Sequence, residues 1–229
     1  MLPRIVEVRR NILKRNDVAA AALRERFQSA GVFVASLVSS PGAGKTTLLE
    51  RTLARVAERH RTAALVGDLA TERDADRLRQ AGVPVRQITT GTVCHLDAEM
   101  VDRAIEDWRL ADLEFLFIEN VGNLVCPASY DLGEQLRVVL LSVTEGEDKP
   151  LKYPTIFNTA DVAVITKSDL AAAVDFERDQ LLRNIEQVRP GLELLEVSAR
   201  TGDGFAGWIA LLERRKAAWL SAGVIGAPI

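Results

Sequence analysis

Cys94 and His95 stand side by side in "TTGTVCHLDAEM" (89–100), in a chain of 229 residues that has only two cysteines and two histidines. Thiolate and imidazole are donors for Ni2+ and Zn2+ rather than for Mg2+ or Ca2+. The pair alone is too small a donor set, because a closed tetrahedral shell takes more ligands. Neighbours on a regular strand point to opposite faces, so the two can share an ion only on irregular backbone. Gly91 and Thr92, just ahead, predict such a strand exit. The remaining thiol, Cys126, closes "ENVGNLVC" (119–126). It reaches the pair if the strands ending near residues 88 and 119 are neighbours. Composition alone also fits two inert buried thiols and a helix-capping His95. The position of Cys126, just past Gly122, favours ligation. His60, at the end of a helical stretch, reads as a cation at a helix C-terminus.

A second constellation handles phosphate. "SSPGAGKTT" (39–47) fits the spacing Gly, four residues, Gly-Lys-Ser/Thr, except that Ser39 takes the place of the first Gly. Gly42 and Gly44 let the backbone turn its N–H groups toward an anion. A helix starting near Thr46 offers its positive end to the same anion. The expected cradle is Pro41, Gly42, Ala43, Gly44, Lys45, Thr46 and Thr47. Lys45 supplies charge to the β- and γ-phosphates, and Thr46 a hydroxyl to Mg2+. Two carboxylates at strand ends complete the expected catalytic set. Asp68 would hold a Mg2+-bound water or orient the attacking one, and Glu119 stands where GTPases, which the chain resembles in its phosphate loop and in the motifs below, carry the acid that closes the Mg2+ shell. Gly122 would give its N–H to the γ-phosphate.

Base recognition rests on "TKSD" (166–169) and "SAR" (198–200). A carboxylate at Asp169 accepts from both N1–H and the exocyclic amine of guanine. Adenine offers neither and would leave it unpaired, at about 1–3 kcal/mol for each buried unsatisfied group. Lys167 lays its aliphatic stem along the base. Ser198, Ala199 and Arg200 offer backbone to the guanine carbonyl. In the GTPases that these motifs resemble, the position of Thr166 usually carries an Asn that braces the phosphate loop. The order of these motifs resembles a GTPase.

The elements that must carry these residues alternate in type. Apolar strand-like runs cover 32–38, 62–67, 84–88, 113–119, 137–143, 161–166 and 192–197, with helical stretches between them. Near-continuous apolar strands alternating with helices imply an α/β fold, a mostly parallel sheet of about seven strands covered on both faces. Ligands in such folds bind at the carboxyl ends of the strands, where every motif above falls. Asp17 is expected to cap a helix through "VAAAALRERF", packing through Val18, Ala22 and Phe27. Asp74 and Asp76 begin another helix. The Arg-rich "RRNILKR" reads as a solvated helix face. The division expected is a helical segment over 1–30 and a phosphate-loop domain over 31–229.

Composition excludes some classes. A formal charge of −3 exerts no general pull on nucleic acid or membrane. There is no secretory leader and no run of roughly 18 or more apolar residues, so the expectation is a soluble cytoplasmic protein with reduced thiols.

Taken together, "LVSSPGAGKTTLLE", "GDLATERDADRL", "TTGTVCHLDAEM", "ENVGNLVCPASYDLGE", "EGEDKPLKYPTIF", "ITKSDL" and "SARTGDG" resemble the hydrogenase maturation GTPase family HypB, from about residue 11 to the end. The resemblance implies a phosphate-loop GTPase of the class that dimerises through its nucleotide face (the SIMIBI class). It implies a Ni2+ or Zn2+ site at the subunit interface on the residues matching Cys94, His95 and Cys126. It also implies nucleotide-controlled dimerisation and metal transfer, a HypA-type nickel chaperone as partner, and a [NiFe] hydrogenase large-subunit precursor as client. The Cys-x-x-Cys or His-rich N-terminal tract that many members carry does not occur in these 229 residues, so the expectation for them is the switchable site alone. Hydrolysis is expected to be slow, since neither an arginine finger nor a glutamine is evident at the γ-phosphate. Lys149 and Lys152 of "EGEDKPLKYP" are read as a solvated loop. The rivals are a UreG-like GTPase serving another nickel enzyme, a small-molecule kinase, and a metal-binding module. UreG's Cys-Pro-His pattern is missing here.

Overall fold

All seven expected strands form, and all run parallel: β1 (Phe33–Ser39), β2 (Thr62–Asp68), β3 (Val85–Thr89), β4 (Phe115–Glu119), β5 (Leu136–Ser142), β6 (Val162–Thr166) and β7 (Glu193–Val197), in the order β3-β2-β4-β1-β5-β6-β7. The computed structural model describes residues 4–69 and 73–225, with side chains described over 10–69 and 73–222. Residues 70–72 of the segment after β2 lie outside the described residues.

The five inner strands are buried on both faces, which explains their unbroken apolar runs, while the edge strands β3 and β7 are only partly buried. Phe33, Ala35 and Leu37 of β1 pack under α2 (Lys45–Val56), α3 (Arg73–Arg79) and α8 (Phe205–Ile225), in a core that includes Leu48, Leu53, Leu78, Trp208 and Leu211. Val34 faces the opposite way, toward α1 (Arg4–Ala30) and α4 (Ala98–Ala104). Val38 meets the cluster built on α6 (Pro154–Thr159) and α7 (Arg178–Val188). Trp208, fully buried in this layer, is paired: its Nε1 donates to Thr52 Oγ1 at 2.8 Å.

Several expectations are corrected. Asp17 does not cap a helix; it lies inside the 27-residue α1. The buried stripe of α1 is Asn16, Ala20, Leu23 and Phe27, at helical spacing, while Val18 is 67% exposed and Ala22 is exposed. Tertiary packing along that stripe overrides the local capping signal. Asn16 is the polar member: its Nδ2 donates to Asp131 O at 2.9 Å, and its Oδ1 accepts from Ala98 N at 2.9 Å. His60 lies past the end of α2, half-buried between Glu114 and Glu213. It joins α8 to the sheet, which is more than a terminal charge. The segment 147–153 is not a solvated loop. It forms α5 (Lys149–Lys152), which leads into α6. Pro150 and Pro154 sit in the first turns of the two helices, where a missing N–H costs nothing. Among the described residues no helix is long and apolar enough to cross a membrane.

Candidate functional site: a phosphate cavity beside a thiol–imidazole cluster

The carboxyl ends of β1, β2 and β4 open into a cavity of about 480 Å3 lined by Pro41, Gly42, Gly44, Lys45, Thr46, Thr47, Asp68, Asp74, Glu119 and Gly122 among others. Gly42 (φ 76°) and Gly44 (φ 94°) hold the left-handed turns that lead into α2, as the loop spacing required. Ser39, in the place of the first Gly, has a visible use. Its Oγ accepts from Lys45 Nζ at 2.9 Å and donates to Ser40 O at 2.6 Å. Burial holds Lys45 below the ordinary lysine range, against the opposing pull of Glu119, Asp74 and Glu145.

Thr46 Oγ1 donates to Glu119 Oε1 at 2.7 Å. Glu119 Oε2 is buried with no hydrogen-bond partner. Burial pushes this carboxyl up to about 7, although Lys45 and the Thr46 hydroxyl work the other way. Asp68 is half-buried at the end of β2, with Oδ1 accepting from Leu69 N at 2.7 Å. Gly122 comes so close to the phosphate loop that a Cβ there would lie 3.1 Å from Pro41 Cα. The β4 exit and the loop therefore touch through glycine.

A smaller cavity of about 210 Å3 adjoins the first and shares Gly44, Thr47 and Lys167 with it. Its other lining includes Thr166, Asp169, Leu170, Ala199 and Arg200. Thr166 Oγ1 donates to Ala43 O at 2.6 Å, which ties β6 to the phosphate loop. Lys167 takes a left-handed conformation (φ 56°), uncommon for a residue with a side chain. That places its stem near Gly44, where a Cβ would meet Lys167 Cε at 3.9 Å. Asp169 Oδ1 accepts from Ser198 Oγ at 2.6 Å. The Arg200 guanidinium stands 4.0 Å from Oδ2 and is largely exposed.

The sulfur and imidazole donors also come together. One ligand atom from each of Cys94, His95 and Cys126 lies within 4.8 Å of the others, and the two sulfurs are 2.9 Å apart. The expected route is wrong, however. β3 and β4 are not neighbours, because β2 lies between them. The loop after β3 instead crosses the end of β2 at Gly67. A Cβ there would lie 2.8 Å from Leu96 Cγ, so the crossing needs a residue without a side chain. Nor does His95 cap α4; Asp97 does, accepting from Met100 N at 2.8 Å. The His95 ring lies on Tyr130, with centroids 3.9 Å apart. Its Nδ1 is buried and unpartnered, and burial holds the imidazole below its usual range, in the neutral form that ligates metal.

Two residues at the site, Asn120 and Arg77, escaped the sequence reading, and a third, Lys149, was read as part of a solvated loop. Asn120, buried between Glu119 and Gly122, accepts backbone N–H groups from Leu96 (3.0 Å) and Val121 (2.9 Å). Its place at a strand's carboxyl end was the available signal. Arg77 lines the larger cavity and donates to Thr47 Oγ1 (3.1 Å) and Glu50 (2.7 Å). Lys149 Nζ lies 3.3 Å from Ser40 Oγ and 3.5 Å from Glu145, in the same subunit. No local pattern announces that contact, which joins residues 109 apart in sequence.

Comparison with known proteins agrees with this geometry. Residues 33–196 match the family described as CobW/HypB/UreG, nucleotide-binding domain. The chain is 49% identical over 222 residues to the hydrogenase maturation factor HypB of Azotobacter chroococcum, covering 96% of this chain and 72% of that one. The HypB of Escherichia coli K12 is 45% identical, with 94% and 74% covered. The crystal structure of HypB from Helicobacter pylori in complex with nickel superposes with a TM-score of 0.84 at 42% identity, covering 89% of this chain and 96% of that one. The phosphate cavity, the thiol–imidazole cluster and these relatives together place the chain in the HypB family, within the CobW/HypB/UreG nucleotide-binding proteins.

Proposed function

We propose that the chain is a slow GTP-hydrolysing switch that binds Ni2+ for the maturation of [NiFe] hydrogenase. The observation that carries this reading is the meeting of Cys94 and His95, on the loop after β3, with Cys126, on the segment after β4 whose Glu119, Asn120 and Gly122 line the phosphate cavity. The relatives named for hydrogenase maturation, and the one solved with nickel, support the client and the ion. Two thiolates and a neutral imidazole suit Ni2+ and also Zn2+.

Each part has an assigned role. Pro41, Gly42, Ala43, Gly44, Lys45, Thr46 and Thr47 cradle the triphosphate. Thr46, Glu119 and Asp68 hold Mg2+, for which the buried unpartnered Glu119 oxygen beside a hydroxyl is a fitting donor set. That ion supplies charge neutralisation at the β- and γ-phosphates. Lys45 adds its own charge there, and Gly122 donates its N–H to the γ-phosphate. Asp169, oriented by Ser198, selects guanine, while the Lys167 stem and the 198–200 backbone flank the base. Thr166 braces the loop in place of the usual Asn.

The γ-phosphate draws in the segments around Asp68 and Gly122, and Cys126 moves with the second of these. Two subunits then press together at the nucleotide face and complete the shell around the ion. GTP hydrolysis relaxes the segments and loosens the ion. A HypA-type chaperone delivers nickel, and the hydrogenase large-subunit precursor receives it. The coupling is reciprocal: a tenfold effect of GTP on Ni2+ affinity, about 1.4 kcal/mol, requires a tenfold effect of Ni2+ on GTP affinity. The test is a Ni2+ titration of wild type, Cys94→Ala and Cys126→Ala, each with GDP and with a nonhydrolysable GTP analogue. Equal wild-type affinities in the two states would remove the switch.

A second client has one observation in its favour. The Helicobacter pylori relative, 44% identical over 199 residues, is named as a hydrogenase/urease maturation factor. Pull-downs against hydrogenase and urease precursors separate the two clients.

A further inference from the structure

We infer that Asn120 is a positioning residue through which the nucleotide cavity acts on the Cys94–His95 loop. This rests on the switch reading above and names the part that transmits it. Asn120 lies between Glu119, which is bonded to Thr46, and Gly122, which lies against Pro41. It lines the phosphate cavity and is only 2% exposed. Its backbone N–H donates to Leu37 O at 3.0 Å, which extends the β1–β4 pairing past the end of the strand.

The side-chain oxygen does something different. Oδ1 accepts two backbone N–H groups, from Val121 at 2.9 Å and from Leu96 at 3.0 Å. The flipped amide would set an NH2 against two N–H donors, so the bonding fixes the orientation. One oxygen thus joins the segment carrying Gly122 and Cys126 to the residue directly after His95. Leu96 cannot slip independently. Its side chain is fully buried and lies over Gly67, another residue lining the phosphate cavity. A displacement of 120–122 toward or away from phosphate therefore pulls on Leu96 N–H. The pull reaches His95 and Cys94 one and two residues earlier in the chain. Cys126 moves on the same segment as Asn120, so all three donors are repositioned together.

An aspartate at this position keeps the acceptor, whereas an alanine removes it. Ni2+ affinity is measured on the full chain of wild type, Asn120→Ala and Asn120→Asp, each with GDP and with a nonhydrolysable GTP analogue. In wild type the two affinities are expected to differ about tenfold. In Asn120→Ala the two should become equal, and in Asn120→Asp the difference should persist. A wild-type difference that survives in Asn120→Ala overturns the role of Asn120 and leaves the switch standing. No difference in wild type overturns both. Loss of the difference in Asn120→Asp as well shows that the acceptor is not what transmits. If Asn120→Ala does not fold, hydrogen exchange of the Leu96 amide in wild type decides the matter. Exchange should change severalfold between the two nucleotide states, and unchanged exchange rejects the inference.

Discussion

The phosphate side and the metal side of this molecule share one strand edge but are built differently. On the phosphate side nearly every functional group has a partner: Lys45 on Ser39, Thr46 on Glu119, Thr166 on Ala43, Asp169 on Ser198. On the thiol–imidazole side the three candidate donors are half-buried on irregular loops, and His95 keeps an unpartnered ring nitrogen. The supports of the metal side lie behind the ligands rather than on them. They are Leu96 over Gly67, Tyr130 under His95, and Asn16 between α4 and Asp131. A preformed anion cradle costs little reorganisation when phosphate arrives. A ligand set carried on loops can be closed or opened by the movement of one segment. The difference suits a protein in which one site senses and the other yields.

The sharpest way to break the comparison is at Lys45. If the phosphate side is the preformed one, Lys45→Ala should cost GTP turnover on the order of 100- to 1,000-fold, as the loss of one electrostatic group at a transition state does elsewhere. The thiol–imidazole cluster does not touch Lys45, so Ni2+ affinity in the absence of nucleotide should stay near wild type. Turnover that persists in Lys45→Ala means the cradle is not a hydrolytic site. Loss of basal Ni2+ binding in the same variant means the two sides are not separately built.

Gly67→Ala attacks the other side. The added Cβ would stand 2.8 Å from Leu96 Cγ, and overpacking of this kind costs about 1–3 kcal/mol. Leu96 must shift, and His95 with it. Ni2+ affinity is expected to fall by about tenfold, while the seven-stranded sheet keeps its far-ultraviolet circular dichroism. An unchanged Ni2+ affinity would show that the crossing point does not set the ligand geometry.

The two sides also differed in how well the sequence announced them. The cradle is a local pattern: one strand, one loop and one helix start, all within residues 33–56. Spacing and residue type were enough to read Gly42, Gly44, Lys45 and Thr46, and the apolar runs placed all seven strands. The metal cluster depends on which strands are neighbours, and nothing in a run of apolar residues carries sheet order. Cys94, His95 and Cys126 do come together, but not through the pairing of β3 with β4 that the sequence suggested, which the sheet does not contain. The bond of Asn120 to Leu96 was not legible for a related reason, since that partner is 24 residues away on a loop with no periodicity. Asp17 misled in the opposite direction. A good local helix start was overridden by a longer helix anchored at Asn16, Ala20, Leu23 and Phe27.

Thr166 sharpens the comparison at smaller amplitude. Its hydroxyl makes the 2.6 Å bond to Ala43 O, and valine keeps the shape without the donor. Losing one such bond costs about 1 kcal/mol, or roughly fivefold. Thr166→Val should weaken GDP binding by that factor and leave nucleotide-free Ni2+ affinity alone, as measured by calorimetry. An effect on Ni2+ of equal size would mean that the cradle and the cluster share this brace.

The smallest effect is expected at the opposite end of the sheet, in a group that belongs to neither site. Glu114 enters β4 from below, accepting from Arg61 N at 3.1 Å and Lys216 Nζ at 3.0 Å, with His60 Nδ1 at 3.2 Å. Burial raises its carboxyl, but these partners outweigh burial and hold it at about 2, against an ordinary value of 4.5. The unfolded chain therefore binds a proton here that the folded chain refuses, and stability rises with pH across that window. The contribution is complete above 4.5 and fades as pH falls toward 2. Denaturant midpoints of wild type and Glu114→Gln should thus differ at neutral pH and converge on acidification. The nucleotide-dependent Ni2+ response at neutral pH should be the same in both, because the loops that carry it leave the other end of the strands. A Glu114→Gln variant with an altered metal response would mean that the scaffold and the sites are not separable, and the contrast between a preformed cradle and a yielding cluster would have to include the whole sheet.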